Sequence, residues 1–209
     1  MAACSVASFL MLVTGLSSKA QRTRLRRQSS QRHTEEAGVL AIIREERPED
    51  IEAIRRVNEE AFEQHEESRI VDALRSNGGV LVSLVATVNG LVVGHILYSP
   101  VVLGNDGAKV IGSGLGPMAV LPQYQRQGIG GQLIQTGNQK LREAGCPFIV
   151  VLGHPGYYPR FGFKPASGYG ICCEWDVPDD VFMVLVLDQS KMPSATTLAR
   201  YRREFSAVA

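Results

Sequence analysis

Met118-Ala119-Val120-Leu121-Pro122-Gln123-Tyr124-Gln125-Arg126-Gln127-Gly128-Ile129-Gly130-Gly131-Gln132-Leu133 reads as the end of a strand, a tight turn and a helix that opens on glycine. A helix start presents N–H groups without intrahelical partners and the positive end of the helix dipole, which together form an anion site. Small glycines let a phosphate approach the main chain closely. Further along, Tyr157-Tyr158-Pro159-Arg160-Phe161-Gly162-Phe163 forms a second unusual cluster.

Upstream of the turn, Val39 to Arg44 has the composition of a first strand, and Pro48-Glu49-Asp50 suits a helix start. Ile51, Ile54, Val57, Ala61 and Phe62 recur at helical spacing, predicting a helix to about Phe62. Ser68 to Arg75 reads as a shorter helix ended by Asn77-Gly78-Gly79, with Glu63-Gln64-His65-Glu66-Glu67 as a solvated, charged connection. The runs 80–88 and 91–102 are apolar and β-branched, and Asn89-Gly90 joins them as a hairpin. Gly104-Asn105-Asp106-Gly107 turns the chain into a third strand of about 110–120, completing an antiparallel meander.

Downstream, Gly128 to Ala144 is predicted as a helix with Ile129, Leu133, Ile134 and Leu141 on one face. Phe148 to Leu152 is wholly apolar, so it should be buried on both faces and parallel to the strand before the helix. Pro155 to Arg160 reads as a loop with one helical turn, and 169–173 and 182–187 as two closing strands. Residues 198–205 are predicted as a terminal helix. This organisation gives an N-terminal extension over 1–37, a domain over 38–190 and a tail over 191–209.

The net charge of +1 hides an asymmetry. Residues 1–34 carry six basic residues and no acid, which leaves −5 for the remainder. An acidic body excludes general affinity for nucleic acid. The leader is Arg- and Ser-rich, like an organelle transit peptide; it lacks the charge order of a secretory signal and the length of a membrane span. The four cysteines, Cys4, Cys146, Cys172 and Cys173, have neither metal spacing nor a disulfide framework. They fit a reducing compartment, the cytoplasm, or an organelle matrix if residues 1–37 are a transit peptide. No metal and no membrane partner is expected.

The glycine-rich turn lacks the Lys-Ser or Lys-Thr ending of a P-loop. It also lacks the third glycine of a dinucleotide fingerprint, where Leu133 stands, and Gly112-Ser113-Gly114-Leu115-Gly116 fails likewise at Pro117. Amides and a guanidinium in the turn point to a pyrophosphate instead.

At these residues the chain resembles the GNAT superfamily of acyl-CoA-dependent N-acyltransferases. Their signature, Gln/Arg-x-x-Gly-x-Gly/Ala, is met by Gln125, Gly128 and Gly130. The run Gly153 to Ala166, with its His-Pro and Tyr-Tyr-Pro-Arg-Phe-Gly-Phe elements, is similar to a bacterial-type subgroup of N-acetyltransferases. The resemblance covers roughly residues 39–188. It implies an α/β (α+β type) fold: a mixed, mostly antiparallel sheet of about seven strands flanked by helices, with a splayed strand pair forming an acyl-CoA cleft. It further implies that the main chain of Met118, Ala119 and Val120 bonds the pantetheine arm. Gln125, Arg126, Gln127, Gly128, Ile129, Gly130 and Gly131 would hold the pyrophosphate of acetyl-CoA, used as co-substrate. A β-bulge in the preceding strand is common in the family.

The chemistry implied is attack of a neutral amine, on a small molecule or a protein, on a thioester. It needs a base for the amine proton, donors for the oxyanion and an acid for the thiolate. Tyr158 occupies the acid position of a Tyr-x-x-x-Gly-Phe element, with Tyr157 as its rival. The Val120 N–H would polarise the carbonyl. For the base, His154 at the end of the buried strand and Glu60 near the end of the first helix are the candidates. His95 reads as a packed core residue, and Arg160 as a support for the tyrosine turn or a contact to an acidic substrate group. A catalytically degenerate domain that binds acyl-CoA as a regulatory module is the alternative, separated from the enzyme by the presence of Tyr158. Family members are often homodimers, with the apolar strand Val181 to Leu187 as a candidate edge.

Overall fold

Alternation along one strand sets the two sides of the sheet. In the computed structural model, which describes residues 40–104 and 109–207, His95 points to one face and Gly94 and Tyr98 to the other. The 1–37 extension, Cys4 and residues 105–107 of the expected turn lie outside the described residues.

Strand β1 (Ile42–Glu45) is followed by a 3-10 turn, Pro48–Asp50, and helix α1 (Ile51–Phe62). Asp50 accepts two bonds from the Arg44 guanidinium, at 2.6 and 2.9 Å, and one from the Arg47 N–H, at 2.8 Å. Helix α2 (Glu66–Ser76) begins two residues earlier than the periodicity predicts, and Glu67 within it is buried. The charged connection therefore ends at His65.

The meander forms as expected from β2 (Val82–Val88), β3 (Leu91–Leu103) and β4 (Val110–Val120). Asn89 and Gly90 take φ of 50° and 80°, the left-handed pair that suits a tight hairpin. Helix α3 (Ile129–Glu143) packs against β2, β3 and β4, and β5 (Phe148–Leu152) runs parallel to β4. The core explains the wholly apolar composition of β5. Ile149 and Val151 join the cluster of α1, α2 and α3, whereas Phe148, Val150 and Leu152 join a second cluster with Val101, Phe182 and Ala199. At about 25 cal/mol per Å² of apolar surface removed from water, residues of this size contribute ~1.5–3 kcal/mol each.

Helices cover both faces. Asn58 of α1 meets His95 on one side of β3, and Asn138 of α3 accepts from the Tyr98 hydroxyl on the other, at 3.0 Å.

The C-terminal third departs from the sequence reading. Nine strands are described, not about seven, in the order β1-β2-β3-β4-β5-β8-β6, with β9 pairing β3 and β7. Strands β7 (Ile171–Cys173) and β8 (Phe182–Val186) do not pair: β8 lies between β5 and the two-residue β6 (Lys164–Pro165). Phe182, Met183 and Val184 are buried, so this strand does not offer the dimer edge its apolar composition suggested. The predicted terminal helix is corrected as well. Thr197–Arg200 is strand β9, parallel to β7, and only Glu204–Ala207 is helical (α4). Thr197 and Ala199 face inward while Arg200 is exposed, a period of two that four residues are too few to reveal. Cys172 is exposed and Cys173 half-buried, the opposite-face disposition of adjacent strand residues.

Candidate active site

One extra residue in β4 opens the site. Ile96 of β3 pairs with Met118 and Tyr98 with Leu115, so β4 spends three steps where β3 spends two. The bulge holds Gly116 and Pro117, whose peptide bond is cis. Pairing of β4 with β5 is confined to Ser113–Leu115 against Ile149–Val151. Beyond Leu115 the two strands part, and a cavity of about 380 Å³ lies between them. Leu115 to Met118 form one wall, and Leu152 to His154 with Tyr157 and Tyr158 another. Phe62 and Glu67 close it from the side of α1 and α2.

The turn before α3 has an irregular backbone. Arg126 has φ 62° and Gly128 φ 85°, so two left-handed residues fall within three positions. A side chain at 128 would be strained in that conformation. The Gln132 N–H makes the first helical bond, to Gly128 O at 3.1 Å, and no acid stands in the first turn of α3. The Gln125 side chain points back along the chain instead. Its amide donates to the Val120 carbonyl at 2.9 Å and ties the turn to the strand end. Gln127 likewise caps Gln123 O at 3.0 Å. Met118, Ala119 and Val120 pair with β3 on one edge, opposite Ile96, His95 and Gly94.

Both tyrosines reach the cavity, at different depths. Tyr158 is buried, its ring meeting Phe163 edge-on at 5.7 Å, and burial pushes its phenol well above the usual value, with a smaller push from Tyr157. Tyr157 is half-buried, and its hydroxyl lies within 2.8 Å of the space a β-carbon on Gly130 would fill, directly over the start of α3. The Arg160 guanidinium stacks on the Tyr157 ring, 3.9 Å from its centre, and so supports the aromatic turn.

The proposed bases separate. His154 is exposed at the cavity wall, and its carbonyl accepts the Tyr157 N–H at 2.9 Å. Glu60 is exposed, lies 3.8 Å from Arg56, and is not among the residues lining the cavity. His95 is a core residue as its position suggests: Ser83 Oγ lies 3.0 Å from Nε2 and Asn58 Nδ2 3.2 Å from Nδ1. Glu67, read from sequence as part of a solvated run, stands in the cavity wall. The signal that could have found it was the helical spacing of Glu67 with the inward Ile70, Val71 and Leu74.

Comparison with known proteins places this geometry. A family model described as an acetyltransferase (GNAT) domain matches residues 42–166. The uncharacterised N-acetyltransferase YhbS of Escherichia coli K12 is 33% identical over 166 residues, covering 79% of this chain and 98% of the relative. YjhQ of the same organism, also an uncharacterised N-acetyltransferase, is 37% identical over 134 residues, 63% of this chain and 74% of YjhQ. The crystal structure of YhbS in complex with CoA aligns with a TM-score of 0.76 at 34% identity, covering 85% of this chain and 98% of YhbS. A GNAT family acetyltransferase from Brucella melitensis, in complex with acetyl-CoA, aligns with a TM-score of 0.66 at 41% identity, covering 80% and 99%. The chain belongs to the GNAT family and is an N-acetyltransferase.

Proposed function

We propose that the chain transfers an acetyl group from acetyl-CoA to a primary amine by direct attack within a ternary complex. The observation that carries this reading is the parting of β4 and β5 beyond Leu115, which leaves a cavity walled by Leu115 to Met118 and by buried Tyr158, with Tyr157 reaching from it to the start of α3. The CoA and acetyl-CoA complexes of the two structural relatives support the choice of donor.

In this reading, the amides of Arg126 to Gly131 hold the pyrophosphate, and the main chain of Met118 to Val120 lines the pantetheine arm as an adjoining strand would. The Val120 N–H donates to the thioester oxygen as charge develops there. Tyr158 gives its hydroxyl proton to the departing sulfur. Burial keeps that phenol protonated at neutral pH, so the acid is present when needed. Tyr157, over the start of α3, orders the end of the pantetheine channel. His154 remains a candidate base at the cavity wall, whereas exposed Glu60 has no such position.

Calorimetric titration with acetyl-CoA tests the donor. Saturable binding that raises the unfolding temperature is expected. No heat and no thermal shift at millimolar ligand overturns the reading.

A further inference from the structure

Three carboxylates in the described chain are almost completely buried: Asp50, Glu67 and Glu204, at 5, 2 and 3% exposure. Burying a charge is unfavourable unless it is paired. Asp50 takes the Arg44 guanidinium, and Glu204 takes that of Arg202 at 2.8 Å. Glu67 has no cation: among the described residues its side-chain partner is the Gln64 amide, which donates to both oxygens at 3.0 and 3.1 Å. A neutral amide holds the carboxylate in place without neutralising it.

Its position gives this meaning. Glu67 lines the cavity between β4 and β5 from the side of α1 and α2, whereas Tyr157 reaches the start of α3 on the opposite face of the sheet. The cavity thus has Tyr157, whose hydroxyl reaches Gly130 of α3, on one side and a carboxylate lacking a cationic partner on the other. The neighbouring walls are apolar, formed by Phe62, Leu115, Pro117 and Met118.

Resting on the acetyltransferase reading above, we propose that Glu67 receives the proton of the acceptor, and that the acceptor is a singly charged primary amine on an apolar body. The ammonium enters from the α1–α2 side, pairs with Glu67 and gives it one proton. The nitrogen lone pair then forms the C–N bond to the acetyl carbon. As the C–S bond breaks, Tyr158 protonates the sulfur, and the second nitrogen proton returns to the tyrosine oxygen. Glu67 releases its proton to solvent, so one proton is produced per acetyl transferred.

Burial supports the role by raising the Glu67 carboxyl from its ordinary value, against the lowering effect of its hydrogen bonds. A more basic carboxylate is a better acceptor for an ammonium proton. The titratable groups around it are Glu66 on its own helix and His154, Tyr157 and Tyr158 across the cavity; α1 and β4 contribute Phe62, Pro117 and Met118.

The test compares wild type, Glu67→Gln and Glu67→Asp, using 2-phenylethylamine and spermidine as acceptors. Thiol release gives the kinetics, and calorimetry gives acetyl-CoA binding and 2-phenylethylamine binding to the CoA-loaded protein. We expect kcat/KM for 2-phenylethylamine to exceed that for spermidine. In Glu67→Gln we expect a fall of about 100-fold or more in kcat and loss of its acid limb, with Glu67→Asp recovering part of it. Amine affinity should fall about tenfold, and acetyl-CoA affinity should stay within about twofold. Wild-type kcat in Glu67→Gln, or an effect on KM alone, overturns the proton-transfer role; a preference for spermidine overturns the acceptor class. Thiol release from neither amine in a protein that binds acetyl-CoA overturns the acceptor class and leaves the donor intact, while failure to bind acetyl-CoA removes the underlying reading.

Discussion

The ring of Tyr158 lies so close over Gly153 that any β-carbon at position 153 would overlap its Cε2 and Cδ2 atoms. Gly153 follows β5 directly, and its N–H bonds the Val181 carbonyl at 2.9 Å, so the backbone has little room to retreat. Phe163 meets the same ring edge-on at 5.7 Å. The absent side chain therefore sets where the phenol points. Replacing Gly153 with alanine should push the ring out of register with the cavity. A fall in kcat of roughly 10- to 100-fold is expected, with a stability loss of about 1–3 kcal/mol typical of overpacking. Acetyl-CoA affinity should change little. Steady-state kinetics, calorimetry and denaturant unfolding separate the three.

Removing the hydroxyl alone isolates the chemistry. Tyr158→Phe keeps the packing against Gly153 and Phe163 and should lower kcat by about 10²–10⁴-fold at unchanged acetyl-CoA affinity. Because burial raises the wild-type phenol, the pH–rate profile should show no alkaline limb from Tyr158 below about pH 10. Full turnover in Tyr158→Phe would transfer the acid role to Tyr157, whose half-exposed hydroxyl sits over Gly130.

Glu67 should weaken the fold that carries it. Its folded pKa is raised, so the native state binds the proton more tightly than the unfolded chain does. The penalty is absent at low pH, grows as pH rises from the ordinary carboxylate value through the raised one, and is complete above it. Glu67→Gln removes it and can keep a bond to Gln64. The variant should therefore unfold at a higher temperature than wild type at pH 7, by ~2–4 °C for each kcal/mol recovered, and the difference should vanish towards pH 4. Equal or lower stability at pH 7 would contradict this.

How far the site was legible in sequence follows from the range of the interactions that build it. Gln125, Gly128 and Gly130 announce a local turn, and α1 and the Asn89-Gly90 hairpin follow from patterns a few residues long. Gly153 and Tyr158 are near neighbours, yet their overlap depends on how the turn after β5 folds back. Glu67 is the clearest failure: charged and polar neighbours disguise it, and only packing of α1 and α2 across the open strands buries it. Strand β9 was missed for a related reason, since its partners lie on β3 and β7.

A buried histidine outside the mechanism should govern acid sensitivity. His95 is fully buried between Asn58 and Ser83, and burial pushes its pKa down to about 4 despite the nearby Glu46 carboxylate. Glu46 lies 3.8 Å from Nε2 and is already claimed by Arg75 at 2.9 Å, so it offers little to an imidazolium. Arg75 itself disfavours that charge. The folded state thus resists a proton that the unfolded chain takes up near pH 6.5, and stability should be lost as pH falls from 6.5 through about 4. At 1.36 kcal/mol per pKa unit the loss is on the order of 3 kcal/mol. His95→Gln keeps a neutral amide between Asn58 and Ser83, so urea unfolding should become nearly independent of pH across that window. A variant that retained the wild-type slope would assign the acid sensitivity to other groups, such as Glu46, Asp50 and Glu204, carboxylates held low by arginine.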